Sequence, residues 1–209
     1  MMVMCCNHSS KAFVELVIAN PGRLGWLIGP IHFKQPRKEV PFALDNDAYI
    51  HFSKGTDFDY IGWLALLDKV KRSKLKPLWV AVPDVVADRA GTLASWKRFA
   101  PVARLYEWPL AFVVQDGMTP RDVPKDAAVV FVGGSTQWKW RNIPMWCEHF
   151  QRVHVGRCGT SKWKLDRLQV MGVESCDGSG WMRDTIAGRN ARQLLAWLDP
   201  KTHQTELTL

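Results

Sequence analysis

Short apolar runs recur along the chain, and most of them end on Asp, Asn or Gly. They are Phe13 to Ala19 before Asn20, Phe42 to Leu44 before Asp45, Leu78 to Val82 before Pro83-Asp84, and Leu110 to Val114 before Gln115-Asp116. Ala128 to Val132 before Gly133-Gly134, Val153 to Val155 before Gly156, and Val170 to Val173 leading to Cys176-Asp177 complete the series. Continuous apolar runs this short read as strands buried on both faces, the habit of parallel sheets. Trp26 to Gly29 reads as an eighth strand, although Pro21-Gly22-Arg23 is too short to carry a crossover helix before it.

Helical spacing separates the later strands. Tyr60, Leu64 and Leu67 share a face, as do Leu93, Trp96 and Ala100, and Ala191, Leu194, Leu195 and Leu198. Asp88 and Ser161 stand where N-caps belong, and Pro200 stops the last helix. Pro144 weakens the helical pattern between Gly134 and Arg152.

Alternating strands and helices over 209 residues fit an α/β fold, either a compact (β/α)8 TIM-type barrel or an open doubly wound sheet. No Gly-x-Gly-x-x-Gly follows a strand, so a dinucleotide crevice is unsupported. Polar residues close strand after strand, and in a barrel all those ends converge on one mouth. The expectation is a single barrel domain over 1–209 with an irregular first β/α unit.

Composition narrows the partners. No stretch approaches the roughly 18 apolar residues of a membrane span. The N-terminus has neither the basic nor the apolar region of a secretory signal, and five cysteines without one read as reduced thiols in a cytoplasm. Lys and Arg number 28 against 20 Asp and Glu, a net charge of +8, which favours a polyanionic partner. Trp numbers 11 against Tyr 3, enough flat side chains to serve a core, a ligand or both.

Gathered at one mouth, the strand ends supply Asp45, Asp84, Gln115, Gly133, Gly134 and Asp177. Singly, an Asp after a strand is a turn former or helix cap, and a Gly pair is a turn. Together they offer carboxylates for acid-base and nucleophilic work, and an amide and backbone N–H groups to read a polar heterocycle.

The order of these motifs resembles the tRNA-guanine transglycosylase family, especially its short paralogues, often viral, that insert 7-deazaguanine bases into DNA. The matching segments are Phe42-Ala43-Leu44-Asp45-Asn46-Asp47-Ala48-Tyr49, Val82-Pro83-Asp84, Phe112-Val113-Val114-Gln115-Asp116-Gly117, Val130-Phe131-Val132-Gly133-Gly134-Ser135 and Gly172-Val173-Glu174-Ser175-Cys176-Asp177-Gly178. They fall in family order between Phe42 and Asp184.

The resemblance implies a base exchange without cofactor, in which a free 7-deazaguanine base of the preQ0 type is a substrate. Asp177 matches the nucleophile that attacks C1′, Asp45 the second catalytic carboxylate, and Asp84 the acceptor for guanine N1–H and the exocyclic amine. Gln115, Gly133 and Gly134 match the groups that address O6. The family usually has Gly where this chain has Asp47, an extra carboxylate that either perturbs Asp45 or points to solvent. The tRNA enzymes carry a structural zinc site of closely spaced Cys and a distant His. After Asp177 this chain has no Cys and only His203, so zinc is not implied, and DNA becomes the expected partner. The alternatives are a tRNA substrate and a non-catalytic nucleic-acid-binding barrel. The pattern fixes no oligomeric state.

Other Cys and His groupings, Cys5-Cys6-Asn7-His8 and Cys147-Glu148-His149, lack the paired spacing of a metal site. Cys176 and His154 read as core residues. Two basic-aromatic segments follow strand ends: Trp138, Lys139, Trp140 and Arg141 in one, Arg157, Lys162, Trp163 and Lys164 in the other. His32 to Lys38 is a further basic loop. Cations beside stacking rings suit nucleic acid, and chemistry at C1′ within a duplex calls for a flipped-out nucleotide or a single strand.

Overall fold

The computed structural model describes residues 1–6, 10–182 and 185–199. Eight parallel strands close into a barrel in chain order, which defines the α/β class as a TIM-type (β/α)8 barrel. The strands are β1 (Met2–Cys6), β2 (Leu24–Ile28), β3 (Phe42–Leu44), β4 (Val80–Ala81), β5 (Leu110–Val114), β6 (Val129–Val132), β7 (Val153–Val155) and β8 (Ser175–Asp177). Around them lie α1 (Lys11–Ala19), α2 (Ala48–Lys54), α3 (Tyr60–Arg72), α4 (Arg89–Arg104), α5 (Thr136–His149), α6 (Lys162–Val170) and α7 (Arg189–Leu198). Closure comes from β1 pairing with β8, Met4 opposite Asp177.

Two expected strands are corrected. Phe13 to Ala19 lies in α1, where Phe13, Val14 and Val17 share the buried face and Glu15 points outward. The first strand is instead Met2–Cys6, whose Met and Cys residues carry little β-branched signal. Val170 to Val173 falls in the end of α6 and the turn after it; the strand starts at Ser175. The irregular unit is the second, not the first: no helix lies between β2 and β3, whereas both α2 and α3 follow β3. Pro144 sits inside an unbroken α5. Asp88 caps α4 by accepting from the Gly91 amide, while Ser161 precedes α6 without a side-chain cap bond. Pro200, with His8, Asp184 and His203, lies outside the described residues.

Two buried clusters follow from strand alternation. Met4, Ala43, Trp79, Ala81, Ala111, Val113, Val129 and Phe131 fill the barrel, and the larger cluster packs the outer strand faces against the helices. Trp79 is 1% exposed and meets Phe131 edge-on at 5.7 Å between ring centroids. Eight of the 11 Trp residues are buried: Trp26, Trp63, Trp79, Trp96, Trp108, Trp146, Trp181 and Trp197. Trp138 and Trp140 are half-buried and Trp163 is 57% exposed, and all three stand on α5 and α6. The tryptophan surplus therefore divides into a core set and a small set on neighbouring helices. Among the described residues no helix is long and apolar enough to cross a membrane.

Candidate functional site at the barrel mouth

The strand ends carry the acids to one end of the barrel. Asp177 terminates β8, Asp45 directly follows β3, and Asp84, Gln115 and Gly133 follow β4, β5 and β6. Their proximity registers in the ionisation of Asp45. Asp45 is held well above the ordinary carboxylate range, first by burial, then by the charges of Asp47 and Asp177, and less by Asp84; the Asn46 amide, donating to its Oδ1 at 2.9 Å, opposes the shift. Asp45 is thereby suited to carry a proton.

Asp84 is clamped. Asn46 Nδ2 donates to its Oδ1 at 2.9 Å and Gln115 Nε2 to its Oδ2 at 2.7 Å. Asn46 is itself fixed, donating to the Val82 carbonyl and accepting from the Ala48 amide. Gln115 accepts from the Ala87 amide at 3.1 Å. Burial raises Asp84 to about 6, against the Asn46 hydrogen bond and the Arg157 charge, which lower it. The result is a buried acceptor with fixed orientation. Asn46, unassigned in the sequence reading, holds this arrangement; its position between Asp45 and Asp47 was the available signal.

Asp177 is gripped on one oxygen. Its Oδ1 accepts from the Arg157 amide at 2.9 Å and lies 3.2 Å from His154 Nε2. His154 is fully buried, with Trp79 and Phe131 ring centroids at 4.8 and 4.5 Å and Ser175 Oγ 2.9 Å from Nδ1. The expected core histidine is therefore also the neighbour of the candidate nucleophile. Phe131 and Asp177 crowd Gly156: a Cβ there would collide with the Phe131 ring and sit 3.4 Å from Asp177 Oδ1.

Asp47 perturbs Asp45 and does not point into solvent. It is 8% exposed, adopts a left-handed φ of 58° at the start of α2, and accepts from the Ile31 amide at 3.0 Å. Its role is to tie the β2–β3 loop to α2, with a charge that lifts Asp45.

At the glycine edge, the Gly133 N–H continues the barrel ladder by donating to the Val114 carbonyl, and a Cβ at Gly133 would lie 3.3 Å from Gln115 Nε2. Gly134 has a φ of +72°, where a side chain would be strained and would strike Asp116. Asp116 in turn accepts from the Ser135 amide and hydroxyl, each at 2.6 Å.

The basic-aromatic residues separate. Arg157 spans the mouth, its guanidinium 3.4 Å from the centre of the Tyr49 ring and 3.3 Å from the Gly134 carbonyl. Trp140 stacks on Trp163 with centroids 6.2 Å apart, and Lys164 and Arg167 lie over these rings at 5.7 to 5.9 Å. Arg141 is exposed on α5, Trp138 packs against Trp146, and Lys162 is paired with Asp166 at 2.7 Å. Lys139 is corrected from a surface cation to an interior one: it is fully buried and its Nζ donates to the Gly156 carbonyl. Burial, then the Arg157 charge, lowers it to about 8, while Asp177, Cys158 and Asp116 act to raise it. The expected Cys176 is buried as read, and among the described residues no group of three His, Cys, Asp or Glu side chains is placed to hold a metal.

Fold and mouth together define a TIM barrel with acids on its C-terminal face. No protein-family model and no curated protein matches the sequence. Among solved structures, a mutant tryptophan synthase α-subunit from the hyperthermophile Pyrococcus furiosus is similar, with a TM-score of 0.58 and 12% identity over 94% of this chain and 96% of that one. The native KDPGal structure gives 0.54 and 9% over 100% and 95%. N-(5′-phosphoribosyl)anthranilate isomerase from Pyrococcus furiosus gives 0.50 and 11% over 98% and 99%. At these identities the likeness establishes the barrel and nothing finer.

Proposed function

We propose that the protein is an enzyme that exchanges guanine in DNA for a free 7-deazaguanine base through a glycosyl-Asp177 intermediate. The observation that carries this reading is the meeting of Asp45, Asp84 and Asp177 at one mouth, with separate environments that suit three different tasks.

Asp177, held by the Arg157 amide, attacks C1′ of the target nucleoside; the bond from C1′ to the guanine nitrogen breaks and its electron pair leaves with the base. Asp45, biased toward its protonated form, delivers the proton the departing base needs. The incoming base then returns a proton to Asp45 as its nitrogen displaces Asp177 from C1′. One glycosidic bond replaces another, and two inversions retain the β configuration. Asp84 in its ionised form accepts from guanine N1–H and the exocyclic amine. Gln115 Nε2, with one N–H committed to Asp84, offers the other to O6 beside the Gly133–Gly134 edge. Adenine presents the opposite donor pattern and leaves buried groups unpaired at about 1–3 kcal/mol each.

Arg157, Arg141, Lys164 and Arg167, with the Trp140–Trp163 pair, supply phosphate contacts and a stacking surface for the strand carrying the target nucleotide. The test is incubation of DNA, and separately of tRNA, with the protein and a panel of free 7-deazaguanine bases, followed by mass spectrometry of the released nucleosides. A deazaguanine nucleoside in DNA supports the reading; its appearance only in tRNA moves the substrate, and no exchange in either contradicts it.

A further inference from the structure

We infer that His154 is a positioning residue for the nucleophile, and that it selects Asp177 Oδ2 as the attacking atom. The mechanistic part rests on the transglycosylase reading above; the hydrogen-bond part stands by itself. Ser175, His154 and Asp177 form a chain: Ser175 Oγ lies 2.9 Å from Nδ1, and Nε2 lies 3.2 Å from Asp177 Oδ1. His154 is wholly buried and Ser175 is 2% exposed, so their contact is made away from bulk water, while the contact with Asp177 is partly buried.

The chain has one tautomer that satisfies both ends. A carboxylate oxygen only accepts, so Nε2 must carry the proton that it donates to Oδ1. The Nδ1 lone pair then faces Ser175, whose hydroxyl donates to it. The opposite tautomer would aim the Nε2 lone pair at the carboxylate, two acceptors in contact. Trp79 and Phe131 flank the imidazole and prevent the ring from turning away.

With the Arg157 amide as second donor, Oδ1 receives two hydrogen bonds, whereas no donor to Oδ2 is found among the described residues. Oδ2 therefore retains the less stabilised lone pairs and is the oxygen that bonds C1′. After attack, Oδ1 becomes the carbonyl oxygen of the ester, and the same two donors polarise it for displacement by the incoming base. His154 thus acts through Asp177 in both half-reactions and touches neither base.

A set of variants and one spectrum test this. Replacing His154 by Phe keeps a packed ring but removes the donor; it should lower kcat about 10- to 100-fold, the scale of one charge-assisted hydrogen bond, with KM for the free base unchanged. His154→Gln, whose amide reaches toward the same oxygen, should recover most of that loss. Ser175→Ala should slow the wild-type background about fivefold, within the range of a neutral hydrogen bond, yet have no effect in His154→Gln, which has no tautomer to fix. Nitrogen NMR of the intact wild-type protein should show the His154 proton on Nε2 alone. Full kcat in His154→Phe, while Asp177→Ala is inactive, overturns the positioning role and leaves the proposed function standing. A proton on Nδ1 overturns the hydrogen-bond chain whether or not base exchange is found.

Discussion

Gln115 holds Asp84 through a 2.7 Å hydrogen bond from Nε2 to Oδ2, and the Ala87 amide holds Gln115 from behind. The carboxylate is therefore oriented before any base arrives, and burial sets its pKa to about 6. Only the ionised form can accept from both guanine donors at once, so kcat/KM for guanine release should rise as pH increases through about 6 and level off above it. A pH–rate profile measures this; a profile flat across that range removes Asp84 from base recognition.

Stability should follow the same group with the opposite slope. The folded pKa is raised from 3.8 to about 6, so the native state holds this proton more tightly. Its favourable contribution is fully present below 3.8 and lost as pH rises through about 6, a change of about 3 kcal/mol relative to Asp84→Asn. Urea melts of both proteins across this interval report the difference.

Lys139 should behave as a buried base. Its folded pKa is lowered from 10.5 to about 8, so the cost of burying the charge is present below 8 and is relieved as pH rises toward 10.5. Relative to Lys139→Met, the wild type should gain up to about 3 kcal/mol over that window. Chemical denaturation at several pH values measures the gain, and parallel curves for the two proteins would contradict it.

Trp163 should matter to binding and not to folding. At 57% exposure its removal opens no cavity. Trp163→Ala should weaken binding of a single-stranded oligonucleotide about 5- to 100-fold, the worth of one stacked base, at an unchanged melting temperature. Fluorescence anisotropy reads the affinity, and an unaltered value would exclude this pair from the nucleic-acid surface.

Much of this architecture is legible in the sequence because β-branched, doubly buried strands leave an unmistakable pattern. Val129 to Val132 and Leu110 to Val114 are continuous apolar runs, and the polar residues that close them fall at the mouth as expected. The pattern fails where composition and period disagree. Phe13 to Ala19 is apolar enough for a strand, yet its Phe13, Val14 and Val17 spacing serves one helix face. Met2–Cys6 is a continuous apolar run whose only β-branched residue is Val3. Individual side chains are less readable than elements. Lys139 stands in a basic-aromatic segment in sequence, but its place on α5 turns it under the Gly156 loop. His154 reads as core because it is core, and only the β7–β8 pairing, which sets it opposite Ser175, brings it to Asp177.

The most direct measurement is to incubate the protein with guanine-containing DNA without an incoming base, denature it, and sequence any DNA-linked peptide by mass spectrometry. The expected result is a deoxyribosyl adduct on Asp177 in the wild type, no adduct in Asp177→Ala, and turnover reduced by at least about 10³-fold in that variant. Base exchange that proceeds at the wild-type rate in Asp177→Ala, or an adduct on another residue, would contradict the account.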